Sequence, residues 1–195
     1  MKIAYQGIKG SYSESCAQEM YPDCETIACK TFDDVFNKAN EDGEVRAIIP
    51  ESNKTTGNIG VEYLIFKYRL NIYQEKFYPI HHHLLGLPGT KIEDVKNVFS
   101  HAQGLSQCSN FIKKNNFVEN VRADTAGSAK YVSESKNKNE AAIASKQSAK
   151  IYNLDVLTSN IEDEKENVTR FLIFSKLMST EIAPTGDSSG PDDIC

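Results

Sequence analysis

The sequence has no tryptophan, three methionines and no apolar run near the roughly 20 residues that a membrane-spanning helix needs. Cysteine is scarce: Cys16, Cys24, Cys29, Cys108 and Cys195 are odd in number, and none stand at C-x-x-C spacing. That pattern argues against a disulfide framework and against a tetrahedral zinc site. Free thiols fit a reducing compartment. Positive charge is not in excess, since 22 Lys and Arg against 27 Asp and Glu leave a net charge of −5. Neutralising a phosphate backbone takes concentrated cations, so nucleic acid is not an expected partner, nor is a membrane. A small anion is not excluded, because a few local donors can hold one whatever the overall charge. No signal peptide precedes the strand-like start Met1–Tyr5. A cytoplasmic protein is therefore expected, or a plastid one if a transit peptide was removed.

What the chain does have is alternation. Short apolar runs rich in branched residues read as strands, for example Lys2–Tyr5, Ala47–Ile49, Asn71–Phe77, His81–Leu87, Ala141–Ile143 and Thr169–Phe174. Between them lie helical patterns at Ser13–Tyr21, Phe32–Glu41, Asn58–Lys67, Gln103–Lys114, Thr125–Glu134 and Ser145–Tyr152. Repeated strand, helix, strand predicts an α/β protein with mainly parallel sheets. The run Phe77-Tyr78-Pro79-Ile80 opens a second α/β set, and the polar stretch Ser159–Asn167 leads to a last strong strand that can return to the first. Two lobes are expected, one of residues 1–78 plus 168–178 and the other of residues 79–167, with a ligand cleft between them. Residues 179–195, rich in Pro, Gly, Ser and Asp, read as a linker or tail.

Four strand-to-helix junctions carry small polar residues: Gly10-Ser11-Tyr12-Ser13, Asn53 to Asn58, Ser100-His101-Ala102-Gln103 and Asp124-Thr125-Ala126-Gly127-Ser128. Helix starts hold unpaired N–H groups and a partial positive charge, so several around one cleft would hold a carboxylate or phosphate. The same residues are also the commonest N-caps, and the motifs alone name no reaction. His81-His82-His83 is not read as a metal site. Consecutive strand residues alternate faces, which leaves one inward histidine. Ser100-His101 lacks a nucleophile elbow, and Gly7 with Gly10 lacks the rest of a dinucleotide fingerprint.

In order and spacing these motifs resemble those of the prephenate dehydratase family. Gln6–Ser13 is similar to its G-P-x-G-T-F-S, and Pro50–Ile59 to its P-I-E-N-S-x-x-G-x-V. His82 with Leu84–Gly89 resembles H-x-L-L-x-L-P-G, and Ser100–Cys108 resembles S-H-P-Q-A-L-A-Q-C. Asp124-Thr125-Ala126 is similar to S-T-A, and Asn167–Phe171 carries N-x-T-R-F. The departures are Ser52 where the family has Glu, with Glu51 one place earlier, Lys54 for Ser, and Ile8 and Ala102 for Pro. The resemblance implies a two-lobed fold like a type 2 periplasmic binding protein. It implies loss of water and carbon dioxide from the dicarboxylate prephenate, with no metal or cofactor. Among the implied catalytic residues, Thr169 meets the departing hydroxyl, with Asn53, Gln107 and Ser100 beside it. Ser11, Ser13, Thr55, Gly57, Gln103, Thr125, Arg170 and Phe171 are implied to bind substrate. Family members are homodimers or homotetramers and usually carry a C-terminal ACT domain; this chain stops where the linker to it would lie. Arogenate, bearing an amino acid side chain in place of the keto acid, is the alternative substrate. A non-catalytic amino-acid or carboxylate-binding protein on this fold is a further alternative.

Overall fold

A computed structural model describes residues 1–176. The expected tail, residues 179–195, lies outside the described residues, as does the end of the expected first lobe. The strands form two mixed sheets. The first runs β2-β1-β3-β11-β5, built from β1 (Lys2–Gln6), β2 (Glu25–Cys29), β3 (Val45–Asn53), β5 (Asn71–Pro79) and β11 (Val168–Ser175), with the short β4 (Gly57–Asn58) paired to β3. The second runs β10-β6-β9-β7-β8, built from β6 (His83–Gly86), β7 (Asn97–Ser100), β8 (Val118–Val121), β9 (Glu140–Ala144) and β10 (Asp155–Thr158).

Parallel pairing is less general than the sequence pattern predicts. β1 is parallel to β2 and β3, and β7 to β8 and β9. β11 runs antiparallel to both its neighbours, as does β6 to β9 and β10. Each antiparallel strand is the one by which the chain enters a sheet from the other lobe. It arrives at the end where its neighbours finish, so it must run against them.

The helices are α1 (Tyr12–Met20), α2 (Phe32–Glu41), α3 (Glu62–Tyr68), α4 (Ala102–Ser106), α5 (Ser109–Lys114), α6 (Thr125–Ser135) and α7 (Lys146–Ile151). Both faces of each sheet are covered, so strand residues alternate between separate cores. Ala4 joins one core while Ile3 and Tyr5 join another; Ala141 and Ile143 part from Ala142 and Ala144 in the same way. That is why these strands read as unbroken apolar runs. Helix α2 shows how the packing arises. Thr31 and Asp34 form a reciprocal capping box at its start, and Val35, Phe36 and Ala39 fall on one face. Phe36 is fully buried, 5.1 Å between ring centroids from Phe174, and contributes roughly 1.5–3 kcal/mol.

Three local expectations are corrected. β2 was not anticipated: its apolar run Ile27-Ala28-Cys29 is short, follows two polar residues and lies at an edge of the sheet. The single helix expected over Gln103–Lys114 is two helices broken at Gln107-Cys108, where the Asp163 carboxylate accepts from Ser109 Oγ (3.0 Å) and Asn110 N (3.2 Å) and restarts the helix as α5. The helix expected from Asn58 begins at Glu62, because Gly57 and Gly60 hold φ of +82° and +81° and make a hairpin first. No helix among the described residues is long and apolar enough to cross a membrane.

The two sheets are joined where the chain crosses near Pro79–His82 and again after β10, and also by a docking contact. The Gly10 carbonyl accepts hydrogen bonds from Ser145 Oγ (2.7 Å) and Ser148 Oγ (2.9 Å), and the Lys9 carbonyl accepts from the Tyr152 hydroxyl (2.7 Å). Gly10 has φ +91°, and a Cβ there would lie 2.6 Å from Ser148 Oγ. Gly10→Ala is therefore expected to cost about 1–3 kcal/mol through strain and loss of this contact, read as a lower urea midpoint.

Candidate functional site

Between the sheets lies a cleft of about 570 Å³. The ends of β1, β3 and β11 reach it from one lobe, and α4, α6 and the crossing segment from the other. Its floor is a set of polar side chains held at fixed orientation by one another.

The construction begins with an irregularity in β3. Thr169 pairs with Asn53 and Arg170 with Ser52, but Phe171 pairs with Pro50, so Glu51 is an extra, bulged residue. In a regular strand residues three apart face opposite ways. Because of the bulge, Pro50 and Asn53 both line the cleft, opposite Phe171 and Thr169, which do so by ordinary alternation. Glu51, which precedes Ser52 where the family pattern has its Glu, turns instead toward Arg170 and accepts from Ser52 Oγ (2.6 Å).

Hydrogen accounting then fixes every atom. The Thr55 backbone N–H can only donate, and it points at Asn53 Oδ1 at 2.9 Å, so that atom is an oxygen. Thr55 Oγ1 lies 2.6 Å from the same oxygen and must donate its hydrogen to it. It can then only accept from Gln107, whose Nε2 lies 2.6 Å away. On the other side, Asn53 Nδ2 donates to Asn167 Oδ1 (2.8 Å) and to Thr169 Oγ1 (2.9 Å). Thr169 therefore accepts from Asn53 and keeps its own hydrogen for the cleft. Asn53, Asn167 and Thr169 are all buried, so each bond is made in a medium that penalises a missing partner by about 1–3 kcal/mol. Asn167 Nδ2 is such an orphan, with no acceptor among the described residues.

Of the residues singled out in the sequence, Thr169, Asn53, Gln107, Ser11, Ser13, Gln103, Thr125 and Phe171 line the cleft. Thr55 reaches the network through its hydroxyl. Four placements differ from expectation. Ser100 is fully buried and donates to the Ile143 carbonyl at 2.7 Å; it sets how closely α4 approaches the sheet at Gly104 and does not line the cleft. Arg170 sits on the other face of β11, because it lies between two cleft-facing residues of a strand, and pairs with Glu75 (2.8 Å) and Glu51 (3.5 Å). Gly57 is exposed in the hairpin and serves its backbone conformation. Thr55 opens no helix. Of the true helix starts, Ser11 Oγ caps α1 by accepting from Glu14 N, and Thr125 follows the cap Asp124 at the start of α6.

Other lining residues were not singled out for the site. Tyr12, His82 and His101 line the cleft, and His82 and His83 are both buried rather than one of the three histidines. The alternation rule failed because His82 precedes β6 and belongs to the crossing segment. His101 Nδ1 accepts from Gln103 N at 3.3 Å, so in the neutral ring its hydrogen is on Nε2. Among the described lining residues none is Lys or Arg, while Asp33 and Asp124 are present. Asp33 is engaged by Lys67 and by the Tyr68 hydroxyl, bonds that hold it below the usual carboxylate range. Asp124 accepts from the Gly127 amide in the first turn of α6.

Behind the cleft Glu162 accepts from the His82 amide (2.9 Å) and meets His81 Nδ1 (2.8 Å). Its side chain is 4% exposed. Burial alone would raise its pKa, yet the bonds from His81 and from backbone amides bring it below its ordinary 4.5. A carboxylate with a lowered folded pKa adds stability that is present above its unfolded value and is lost as pH falls through the folded one. Glu162→Gln should therefore lower Tm at pH 7, with the gap to wild type closing as pH falls below the ordinary carboxylate value, measured by thermal unfolding from neutral to acid pH.

Comparison with known proteins agrees with this geometry. The model of the prephenate dehydratase family matches residues 3–179. "Arogenate dehydratase/prephenate dehydratase 1, chloroplastic" of Arabidopsis thaliana is 42% identical over 177 residues, covering 90% of this chain and 45% of the relative. The chain thus spans less than half the length of that plant protein. Among solved structures, a protein described as a novel type of quorum-quenching acylase, GqqA, is 31% identical with a TM-score of 0.85 over 92% of this chain and 66% of its own. The prephenate dehydratase of Staphylococcus aureus is 26% identical with a TM-score of 0.78 over 92% of this chain and 67% of its own. The cleft, the motif order and the match along almost the whole described chain together show that this protein belongs to the prephenate dehydratase family.

Proposed function

We propose that the cleft converts prephenate to phenylpyruvate, a step of phenylalanine biosynthesis, with Thr169 as the residue that meets the departing hydroxyl. The carrying observation is the orientation of that hydroxyl. Asn53 Nδ2 donates to Thr169 Oγ1, which leaves the threonine hydrogen free on the cleft side. In the reaction, the bond between the ring and its carboxylate breaks, its electron pair completes the aromatic ring, and the ring C–O bond breaks to release hydroxide. Carbon dioxide leaves, and hydroxide takes up a proton to become water. Aromatisation supplies the driving force, so the protein needs to hold two carboxylates and stabilise charge on the leaving oxygen. A threonine hydroxyl is a weak acid; it stabilises that charge as an oriented donor, and solvent supplies the proton.

The carboxylates are read as held by neutral donors: the backbone N–H groups at the starts of α1 and α6 near Ser11 and Thr125, and the side-chain amide of Gln103. Phe171 and Pro50 form the apolar wall for the ring. Ser13 lies in the first turn of α1. Arg170 takes no part in this reading, being spent on Glu75 and Glu51.

Arogenate is the second reading, and two observations favour it. The plant relative's name carries both dehydratases. The lining also includes Asp33 and Asp124 with no Lys or Arg among the described residues, which tolerates a substrate bearing an ammonium group. Assembly as a homodimer or homotetramer, and a cytoplasmic or plastid location, belong to the proposal on the family resemblance alone.

The test is formation of phenylpyruvate from prephenate, followed by its absorbance in alkali, beside an equal assay of phenylalanine formation from arogenate. Activity on prephenate is expected; saturable binding of prephenate with no product above the uncatalysed rate would end the proposal. Thr169→Ala should lower turnover at least tenfold in a protein that still folds, destabilised by the roughly 1–3 kcal/mol that goes with the lost acceptor of Asn53 Nδ2, while Thr169→Ser keeps much of the rate; wild-type turnover in the alanine variant would remove Thr169 from the reaction.

A further inference from the structure

We propose that His82 is a positioning residue for the reaction, holding the amide of Gln107 in its working orientation by donating a hydrogen bond from Nε2. The proposal rests on the dehydratase reading above and extends it to a buried residue of the cleft wall that touches the network through Gln107. Gln107 stands at the break between α4 and α5, where a helix no longer sets its side chain. Its backbone is pinned by Asp163, whose N–H donates to the Gln107 carbonyl at 2.7 Å. Nothing in that contact chooses which end of the side-chain amide faces the cleft.

The choice comes from both ends of the amide. At one end, the forced polarity of Asn53 and Thr55 requires a donor, and Gln107 Nε2 supplies it at 2.6 Å from Thr55 Oγ1, with Asn53 Oδ1 at 3.4 Å. At the other end, Gln107 Oε1 lies 2.8 Å from His82 Nε2. An oxygen there requires a hydrogen on that nitrogen, so the ring is protonated at Nε2. Its Nδ1 lies 2.8 Å from the Tyr12 hydroxyl, whose single hydrogen must go to this nitrogen in a neutral ring protonated at Nε2, rather than to the His81 carbonyl 2.9 Å away. The Tyr12 ring meets the imidazole edge-on at 5.5 Å. His82 is 2% exposed, so a ring without these partners would be costly to keep buried. Burial also lowers its pKa, although the bond to Gln107 and the nearby Glu162 act the other way; the ring is neutral at neutral pH, with Nδ1 as acceptor and Nε2 as donor. Polarity thus runs unbroken from the Thr55 amide through Asn53, Thr55 Oγ1 and Gln107 to the histidine.

Without the Nε2 donor, Gln107 can turn, and a flipped amide sets two acceptors against each other at Thr55. The reacting geometry suffers while the helix starts that hold carboxylates stay intact. His82→Leu is therefore expected to lower kcat at least tenfold with KM changed less than twofold. His82→Gln, whose side-chain N–H reaches the place of Nε2, should return kcat to within about threefold of wild type. In a Gln107→Ala background His82→Leu should cost less than a further twofold, because the two act as one unit. Circular dichroism and Tm of each variant separate loss of fold from loss of positioning. Wild-type kcat in His82→Leu, full additivity with Gln107→Ala, or no recovery in a folded His82→Gln would each overturn the proposal. Imidazole nitrogen NMR of ¹⁵N-histidine-labelled wild type tests it independently of turnover. Protonated Nε2 with bare Nδ1 is expected, and the opposite neutral tautomer would overturn it. A wild type that forms no product while showing the expected tautomer would sink the dehydratase reading and leave the hydrogen-bonded positioning standing.

Discussion

Two backbone N–H groups, those of Thr55 and Thr56, point at the side-chain oxygen of Asn53, and the orientation of the polar network on the cleft floor is set by that contact. An amide side chain is nearly symmetric in shape, and only its partners say which end is which. Backbone amides cannot reverse their role, so they fix the oxygen, and the nitrogen then faces Asn167 and Thr169. The bulge at Glu51 and the hairpin at Gly57 bring the amides and the side chain to this meeting. Removing either would leave Asn53 free to turn, and the hydrogen on Thr169 would lose its direction. In a buried site a wrongly turned amide leaves two groups unsatisfied at once, which is why one orientation is held firmly.

Much of the architecture could be read from the residues because strands covered on both faces must be apolar throughout, and Ile3–Tyr5, Ala47–Ile49 and Ala141–Ala144 are. Helix α2 was legible at Phe32–Glu41 from its helical apolar pattern, and the structure adds the capping box at its start. Legibility ended where partners distant in sequence decide the outcome. β2 is an edge strand whose exposed side needs no apolar residue. Asp163 restarts a helix 54 residues earlier in the chain. Arg170 was legible as charged, but its face depends on strand register, and the Glu75 that claims it comes from β5. Ser100 fits a motif for ligand contact, yet its role is to sit under Gly104. His82 was visible in its motif, but counting alternate faces assumed a strand that starts one residue later.

On the function proposed above, the cleft is an example of an acidic chain arranged to receive an anion. Positive side chains are engaged elsewhere: Lys67 with Asp33, Lys54 with Glu166 and Arg170 with Glu75. Besides apolar groups and the carboxylates of Asp33 and Asp124, what faces the cavity is amide, hydroxyl and imidazole. Such donors carry partial charges, and their strength comes from being fixed in place and shielded from water. They also need less desolvation than ammonium or guanidinium groups when the cavity closes over a ligand.

The contact of Gly10 with Ser145 and Ser148 bears on how such a cavity can open at all. Two chain crossings alone would let the halves swing apart as a book does. A third attachment, made of buried hydroxyl-to-carbonyl bonds beside α1, ties one margin of that book shut. Ser11 follows directly on the tie, so the start of α1 is anchored to both lobes at once. The side chains of Thr56 and Gln103 bond across the gap as well, so the lobes are also bridged at the cleft itself by groups that a swing of the book would have to part.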